Sequence, residues 1–168
     1  MFTVTAETRP ALCEDAGAIS KVHEESWKHT YAGLIPHRAL FQMINRRDAH
    51  WWESAIRRAT IVLVAEIDDQ IAGYVTLGPN RVRTFPQEGE IYELYLKPEF
   101  QGIGLGAKLF ADARKELRRR GFMGVTVWVL SENHPALNFY LNAGGKAIAT
   151  GSEQFDHEKL EKIALAWD

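Results

Sequence analysis

Three alternate glycines, Gly102, Gly104 and Gly106, stand in the turn Gln101-Gly102-Ile103-Gly104-Leu105-Gly106, the stretch of this chain best suited to hold an anion. Glycine lets the backbone come close to a ligand and turn its amides outward. The residues that follow repeat apolar side chains at four-residue steps, Leu105, Leu109, Ala113 and Leu117, which predicts a helix opening at the turn. Its first turn carries unpaired N–H donors and the positive end of the helix dipole, an arrangement that suits a phosphate or pyrophosphate. On spacing alone, a tight turn after Pro98 accounts for the same glycines.

Other chemistries find less support. A Walker loop needs Gly-Lys followed by Ser or Thr, but Ala107 precedes Lys108 and Leu109 follows it, so the magnesium ligand is missing. A dinucleotide fingerprint needs G-x-G-x-x-G in the first strand-turn-helix unit, whereas this chain has G-x-G-x-G far from its start. None of the six histidines, at 23, 29, 37, 50, 134 and 157, forms an H-E-x-x-H pattern or pairs with a cysteine, so no metal is expected. No serine sits in a G-x-S-x-G elbow. Cys13 is the single cysteine, so no intrachain disulfide forms, and the adjacent Glu14 and Asp15 discourage a thiolate.

The turn needs a strand before it and a helix after it. Ile91, Tyr92, Leu94, Tyr95 and Leu96 form a β-branched and aromatic run bounded by Gly89 and Pro98, which predicts the strand. Lys108, Arg114, Lys115 and Arg118 mark the polar face of the helix, and Gly121 suits its C′ position.

This unit resembles the GNAT superfamily of acyl-CoA-dependent N-acyltransferases, whose signature is Gln or Arg, two residues, Gly, one residue, then Gly or Ala. Gln101, Gly104 and Gly106 match it. The resemblance runs upstream through LYLKPEFQ and downstream to VTVWVLSENHPALNFYLNAGG, Val125 to Gly145, and covers most of the chain, more loosely before Thr60. It implies acetyl-CoA as co-substrate, its pyrophosphate on Gln101, Gly102, Ile103, Gly104, Leu105 and Gly106. It also implies that the backbone of Leu94, Tyr95 and Leu96 pairs with pantetheine as a peptide pairs with a sheet edge, and supplies an oxyanion donor. That geometry requires the strand near 90–97 to splay from the one at 125–130. Asn133 matches the family asparagine that bonds the pantetheine arm, with Asn138 assisting, although asparagine is equally a preferred helix N-cap. Tyr140 matches the tyrosine near the sulfur. One departure is Gly145-Lys146, where relatives commonly carry Phe after the glycine.

Acylating an amine of pKa near 10.4 at pH 7 means exposing its lone pair at a cost of about 4 to 5 kcal/mol, so a general base helps. Glu90 and Glu93 are the nearby carboxylates. By strict alternation they point to opposite faces, so at most one faces the acceptor unless a bulge intervenes. The resemblance implies such a bulge, and its spacing matches Glu90 best, with Glu93 as the alternative. A phenol near 10 giving its proton to a thiolate near 8.5 goes uphill by about 2 kcal/mol, so Tyr140 is either the acid or a hydrogen-bond donor to the sulfur.

Around this core, Phe2 to Thr8 alternates like a half-buried strand. Helical patterns cover Cys13 to Thr30, His37 to Asn45 and Arg47 to Arg58, and resemble the helices that roof the family's acceptor site, which places Trp27 and Tyr31 at that site. Thr60 to Ile67 and Gln70 to Leu77 form a hairpin about Asp68-Asp69. A strand at Val125 to Leu130, a helix from Pro135 to Asn142, and a hairpin of Lys146 to Thr150 with Leu160 to Trp167 complete the chain.

The expected fold is a single α/β (α+β) domain over 1–168 with a mixed, mainly antiparallel sheet of about six to seven strands flanked by helices. It divides into an N-terminal part at 1–88, a CoA-binding core at 89–145 and a C-terminal hairpin at 146–168. At 168 residues, with 46% hydrophobic and 25% charged residues, the chain has the composition of a soluble globular protein. The first ten residues lack a basic segment followed by an apolar one, and no run approaches the roughly 20 apolar residues of a membrane span, so a cytoplasmic protein without a membrane partner is expected. A net charge of −2 gives no electrostatic reason to bind nucleic acid, and the basic run Arg118 to Arg120 suits a solvated helix end. The expected function is acetyl transfer from acetyl-CoA to a small-molecule or peptide amine, with a homodimer left open. A non-catalytic acyl-CoA sensor and another nucleotide-binding protein are the alternatives.

Overall fold

The computed structural model describes residues 5–168. Among them lie seven strands and five helices. β1 (Ala6–Pro10) leads through a 3₁₀ turn into α1 (Ala16–Tyr31), α2 (His37–Arg46) and α3 (Ala49–Arg57). The hairpin β2 (Ile61–Ile67) and β3 (Gln70–Pro79) follows, then β4 (Gly89–Leu96), α4 (Leu105–Arg119), β5 (Val125–Leu130), α5 (His134–Asn142) and a last hairpin of β6 (Lys146–Phe155) and β7 (Glu158–Trp167). No helix among the described residues is long and apolar enough to cross a membrane.

The strands form one sheet in the order β1-β2-β3-β4-β5-β7-β6. Every neighbouring pair is antiparallel except β4 with β5, whose parallel pairing requires the α4 crossover. The mixed, mainly antiparallel sheet expected from the sequence is therefore present. At the β2–β3 turn Asp68 and Asp69 both take positive φ, 48° and 63°, as a two-residue hairpin turn requires.

The expected boundaries move most at the two ends of the chain. The first strand is Ala6–Pro10 where the alternation predicts Phe2 to Thr8; Phe2 and Val4 lie outside the described residues. The last hairpin is longer than Lys146 to Thr150 with Leu160 to Trp167. β6 is an edge strand with most side chains in water, so Gly151 to Gln154 has no buried face to impose an apolar alternation.

The sheet has a different core on each side. Leu105, Leu109, Phe110, Ala113 and Leu117 of α4 and Tyr140 of α5 pack with Ile91, Leu96, Val125 and Val127. On the other side, Ile19 and Val22 of α1 and Trp52 of α3 pack with Val62, Val64 and Tyr74. A third cluster joins Trp27, Tyr31, Leu40 and Ile44 to Phe155 of β6. Gly145 fits only without a side chain, because a Cβ there would stand 2.7 Å from the Trp167 ring and 2.9 Å from the Tyr140 carbonyl. Trp167 thus fills the space beside Gly145-Lys146.

Two irregularities of β4 shape everything near it. β4 pairs with β5 only through Gly89, Glu90 and Ile91, and beyond Ile91 the two strands diverge. Across β3, Ile91 faces Leu77 and Glu93 faces Thr76, which leaves Tyr92 as an extra residue in a bulge.

Candidate active site

The glycine turn lies at the N-terminus of α4, with Gly104 at the N-cap in the left-handed region, φ 84°. Gly102 takes φ 80°, and a Cβ at either position would meet nothing within 4 Å. These glycines answer a backbone demand rather than a crowded neighbour, and they leave open space before the first amides of α4. Gln101, Gly102, Ile103 and Gly104 are exposed, whereas Leu105 is buried in the α4 core. This is the geometry an anionic pyrophosphate needs.

The open edge of β4 continues the same groove. The Lys97 amide donates to the Ala72 carbonyl across β3. By alternation, Leu96 and Leu94 turn their N–H and C=O groups toward the splay, while the Tyr95 backbone turns toward β3. Gln101 Nε2 donates to the Leu96 carbonyl at 3.4 Å and ties the turn to that edge. Across the splay, Asn133 caps α5, its Oδ1 accepting from the Ala136 amide, and is buried. Asn138 is exposed on the same helix. Tyr140 is buried among Phe110, Phe139 and Trp167, and burial pushes its hydroxyl well above the usual phenol range.

On the opposite side of β4 lies a cavity of about 420 Å³. Trp27, Tyr31, Tyr92, Tyr95, Trp128 and Phe155 give it aromatic walls, and Glu93, Glu153 and Asp156 bring carboxylates. Arg46, Arg81 and Lys162 line it as well, and Lys162 reaches Glu153 at 3.4 Å. The Tyr31 and Tyr95 hydroxyls hydrogen-bond each other at its floor. Burial pushes Tyr31 up to about 12, against a smaller opposing effect of that hydrogen bond.

The family model for the acetyltransferase (GNAT) family matches residues 21–144. The chain belongs to the GNAT acetyltransferase family. It is 30% identical over 159 residues to an uncharacterized N-acetyltransferase, YuaI, of Bacillus subtilis, covering 95% of this chain and 91% of that one. It is 26% identical over 164 residues to the spermidine N(1)-acetyltransferase of Thermoplasma acidophilum, covering 93% and 98%. The crystal structure of PaiA N-acetyltransferase from Thermoplasma acidophilum in complex with coenzyme A is similar at a TM-score of 0.76 and 25% identity, over 95% and 98% of the two chains. The fold and the acyltransferase class expected from the residues around Gln101 are those of this GNAT protein.

The two candidate carboxylates of this GNAT chain have different surroundings. Glu90 is fully buried in the paired part of β4 and accepts from three nitrogens of Arg81, its backbone N at 3.0 Å, its Nε at 3.2 and 3.3 Å to the two oxygens, and its Nη2 at 2.7 Å. It is absent from the cavity wall. Glu93 lies beyond the splay point on the cavity wall; its Oε1 meets Arg47 Nη2 at 2.9 Å and its Oε2 accepts from the Tyr74 hydroxyl at 3.0 Å. A second cavity of about 220 Å³ shares Arg81, Tyr92 and Glu93 with the first, so Glu93 stands between the two.

Sequence reasoning singled out neither Arg47, Tyr74 nor Arg81. Arg47 reads as the start of a helix and lies instead in the connection between α2 and α3, while Tyr74 reads as one more core residue of an apolar strand. No local signal marks them, because Glu90 and Glu93, their partners on β4, are reached only through sheet pairing and the packing of the α2–α3 connection onto the sheet. Among the described residues no three His, Cys, Asp or Glu side chains gather into a metal-ligating group.

Proposed function

We propose that this protein transfers the acetyl group of acetyl-CoA to an amine by direct attack, with Glu93 as the base on the acceptor side. One observation carries the reading. The divergence of β4 from β5 opens a groove in which the glycine turn and the free edge of Leu94 and Leu96 stand on one side and the Glu93 cavity on the other.

The amides opening α4 and those of Gly102 to Gly106 would hold the pyrophosphate, and Leu94 and Leu96 would pair with pantetheine. An amide of that edge aimed at the thioester carbonyl would stabilise its developing negative charge. The ammonium of the acceptor would give its proton to Glu93, directly or through water, and the freed lone pair would attack the carbonyl. Tyr140, kept protonated by burial, would donate a hydrogen bond to the departing sulfur. Asn133 and Asn138 would steady the pantetheine arm. Glu90, closed under Arg81, would serve the packing of the loop after β3.

Trp27 and Tyr31 would contact the acceptor, and the aromatic walls with interspersed carboxylates favour an amine on an apolar stem. A linear polyamine is the first acceptor to test, given the similarity to a spermidine acetyltransferase. The decisive measurement is thiol release from acetyl-CoA across polyamines, amino acids, aminoglycosides and peptides. Release with an amine and not without one supports the reading; tight acetyl-CoA binding with no release for any amine overturns it.

A further inference from the structure

A chain of hydrogen bonds runs from the wall of the acceptor cavity into the core beneath α1. The Tyr74 hydroxyl donates to Glu93 Oε2 at 3.0 Å, and the Tyr74 hydroxyl oxygen itself stands 3.0 Å from His23 Nδ1. His23 Nε2 faces the Met43 carbonyl at the longer distance of 3.4 Å. His23 is 1% exposed and Tyr74 fully buried. The imidazole cannot turn freely, because Trp27 lies against it at 4.7 Å between ring centres and Trp52 meets it edge-on at 6.2 Å.

Counting hydrogens gives this chain a direction. A tyrosine hydroxyl has one proton. If Glu93 receives it, the Tyr74 oxygen can only accept from His23, and Nδ1 must carry the imidazole proton. Burial, together with the positive charge of Arg47, pushes His23 down to about 4, so at neutral pH the ring holds a single proton. That proton cannot serve Nδ1 and Nε2 together; with the Tyr74 proton committed to the carboxylate it sits on Nδ1, and the Met43 carbonyl then receives no hydrogen bond from Nε2. Every donor then points toward the carboxylate, from His23 to Tyr74 to Glu93, and each bond polarises the next.

We propose that His23 is a positioning residue for the transfer reaction, fixed as the neutral Nδ1–H tautomer, which through Tyr74 aims the Glu93 carboxylate at the acceptor amine. The proposal rests on the reading of Glu93 as the base. Arg47 holds the other carboxylate oxygen, so both oxygens are gripped while the side chain lines the cavity. Arg47 from the connection after α2, Tyr74 from β3, Tyr31 from α1, and Tyr95 and Arg81 from β4 and the loop before it are the charged or titratable groups around Glu93. Tyr74 and Arg47 are those facing His23.

Nitrogen-15 spectroscopy of histidine-labelled protein, with His23 assigned by its loss in His23→Asn, reads the tautomer directly. The expected result at pH 7 is a neutral ring protonated at Nδ1; a ring protonated at Nε2, or at both nitrogens, overturns the proposal. Kinetics provide the second reading. Tyr74→Phe and His23→Leu should lower kcat at neutral pH, Tyr74→Phe by roughly tenfold or more, as expected for a lost hydrogen bond to a charged group. The loss should shrink as rising pH supplies free amine, with the KM for acetyl-CoA unchanged. His23→Asn, whose amide can donate to the Tyr74 oxygen, should restore most of what His23→Leu loses. An equal loss at every pH, or no advantage of Asn over Leu, makes His23 a packing residue and overturns the proposal. In a Glu93→Gln background, Tyr74→Phe should cost nothing further. If Glu93→Gln itself leaves the neutral-pH rate unchanged, the base assignment fails, and the tautomer measurement still reports on the chain of bonds independently.

Discussion

Glu90 and Glu93 share one face of β4, although three positions separate them, because Tyr92 between them is the extra residue of a bulge. Regular alternation would send them to opposite sides of the sheet. With the bulge, both lie on the side of α1, yet only Glu93 reaches the cavity while Glu90 stays under Arg81. Their amide variants should therefore differ. Glu93→Gln should lower kcat most at neutral pH and recover as the pH approaches the amine pKa, since solution then deprotonates the acceptor. Glu90→Gln should chiefly cost stability, on the order of 1 to 3 kcal/mol for a buried acceptor left short of partners. Rate profiles against pH, with urea unfolding of both variants, separate the two; a pH-dependent loss in Glu90→Gln alone would reverse the assignment.

Acetyl-CoA affinity should depend on the left-handed backbone of the glycine turn. Gly104→Val places a β-branched residue at φ 84°, a conformation costing roughly 1 to 2 kcal/mol for an L-residue, and puts its side chain where nothing stands within 4 Å. Because α4 continues well beyond its N-cap, the fold should survive while affinity falls at least tenfold in calorimetric titration. Unchanged affinity in a folded variant would remove the turn from the site.

Tyr140 should act as a donor over the whole working range, since burial holds its hydroxyl well above the ordinary phenol value. No alkaline loss of activity below pH 10 should trace to it. Tyr140→Phe should lower kcat at every pH, and by less with a thioester whose thiol is more acidic, because such a sulfur leaves with less help. A uniform effect across donor thiols would make Tyr140 a packing residue.

His23 makes a prediction about stability as well. Its folded pKa of about 4 lies below the ordinary value of 6.5, so between these limits the unfolded chain binds a proton that the fold refuses. Stability from this group is fully present above about pH 6.5 and falls with decreasing pH by up to roughly 1.4 kcal/mol per unit until about pH 4. Glu116 adds a loss in the same direction lower on the scale, since its salt bridges to Arg119 and Arg120 hold it down to about 2 and that stabilisation is lost only as pH falls from about 4.5 toward 2. Urea midpoints at pH 7 and pH 5 should therefore differ for the wild type and differ much less for His23→Gln, whatever that variant loses at pH 7.

The sequence by itself determined the periodic elements and the anion-binding turn. Leu105, Leu109, Ala113 and Leu117 write the buried stripe of α4 at helical spacing, Asp68-Asp69 writes a hairpin turn, and Gly102 and Gly104 write a backbone that only glycine adopts at little cost. These are local demands, met by residues within one or two turns of each other, so the family motif around Gln101 and the family itself were legible there. The tertiary structure decided which carboxylate meets the cavity. That depends on where β4 slips by one residue against β3 and where it parts from β5, and both are set by contacts between strands far apart in the chain. The grip on Glu93 was illegible for the same reason: Arg47, Tyr74 and His23 come from three different parts of the chain and share no spacing, and only the packing of α1 and the α2–α3 connection onto the sheet brings Arg47 and Tyr74 to the carboxylate and His23 to Tyr74.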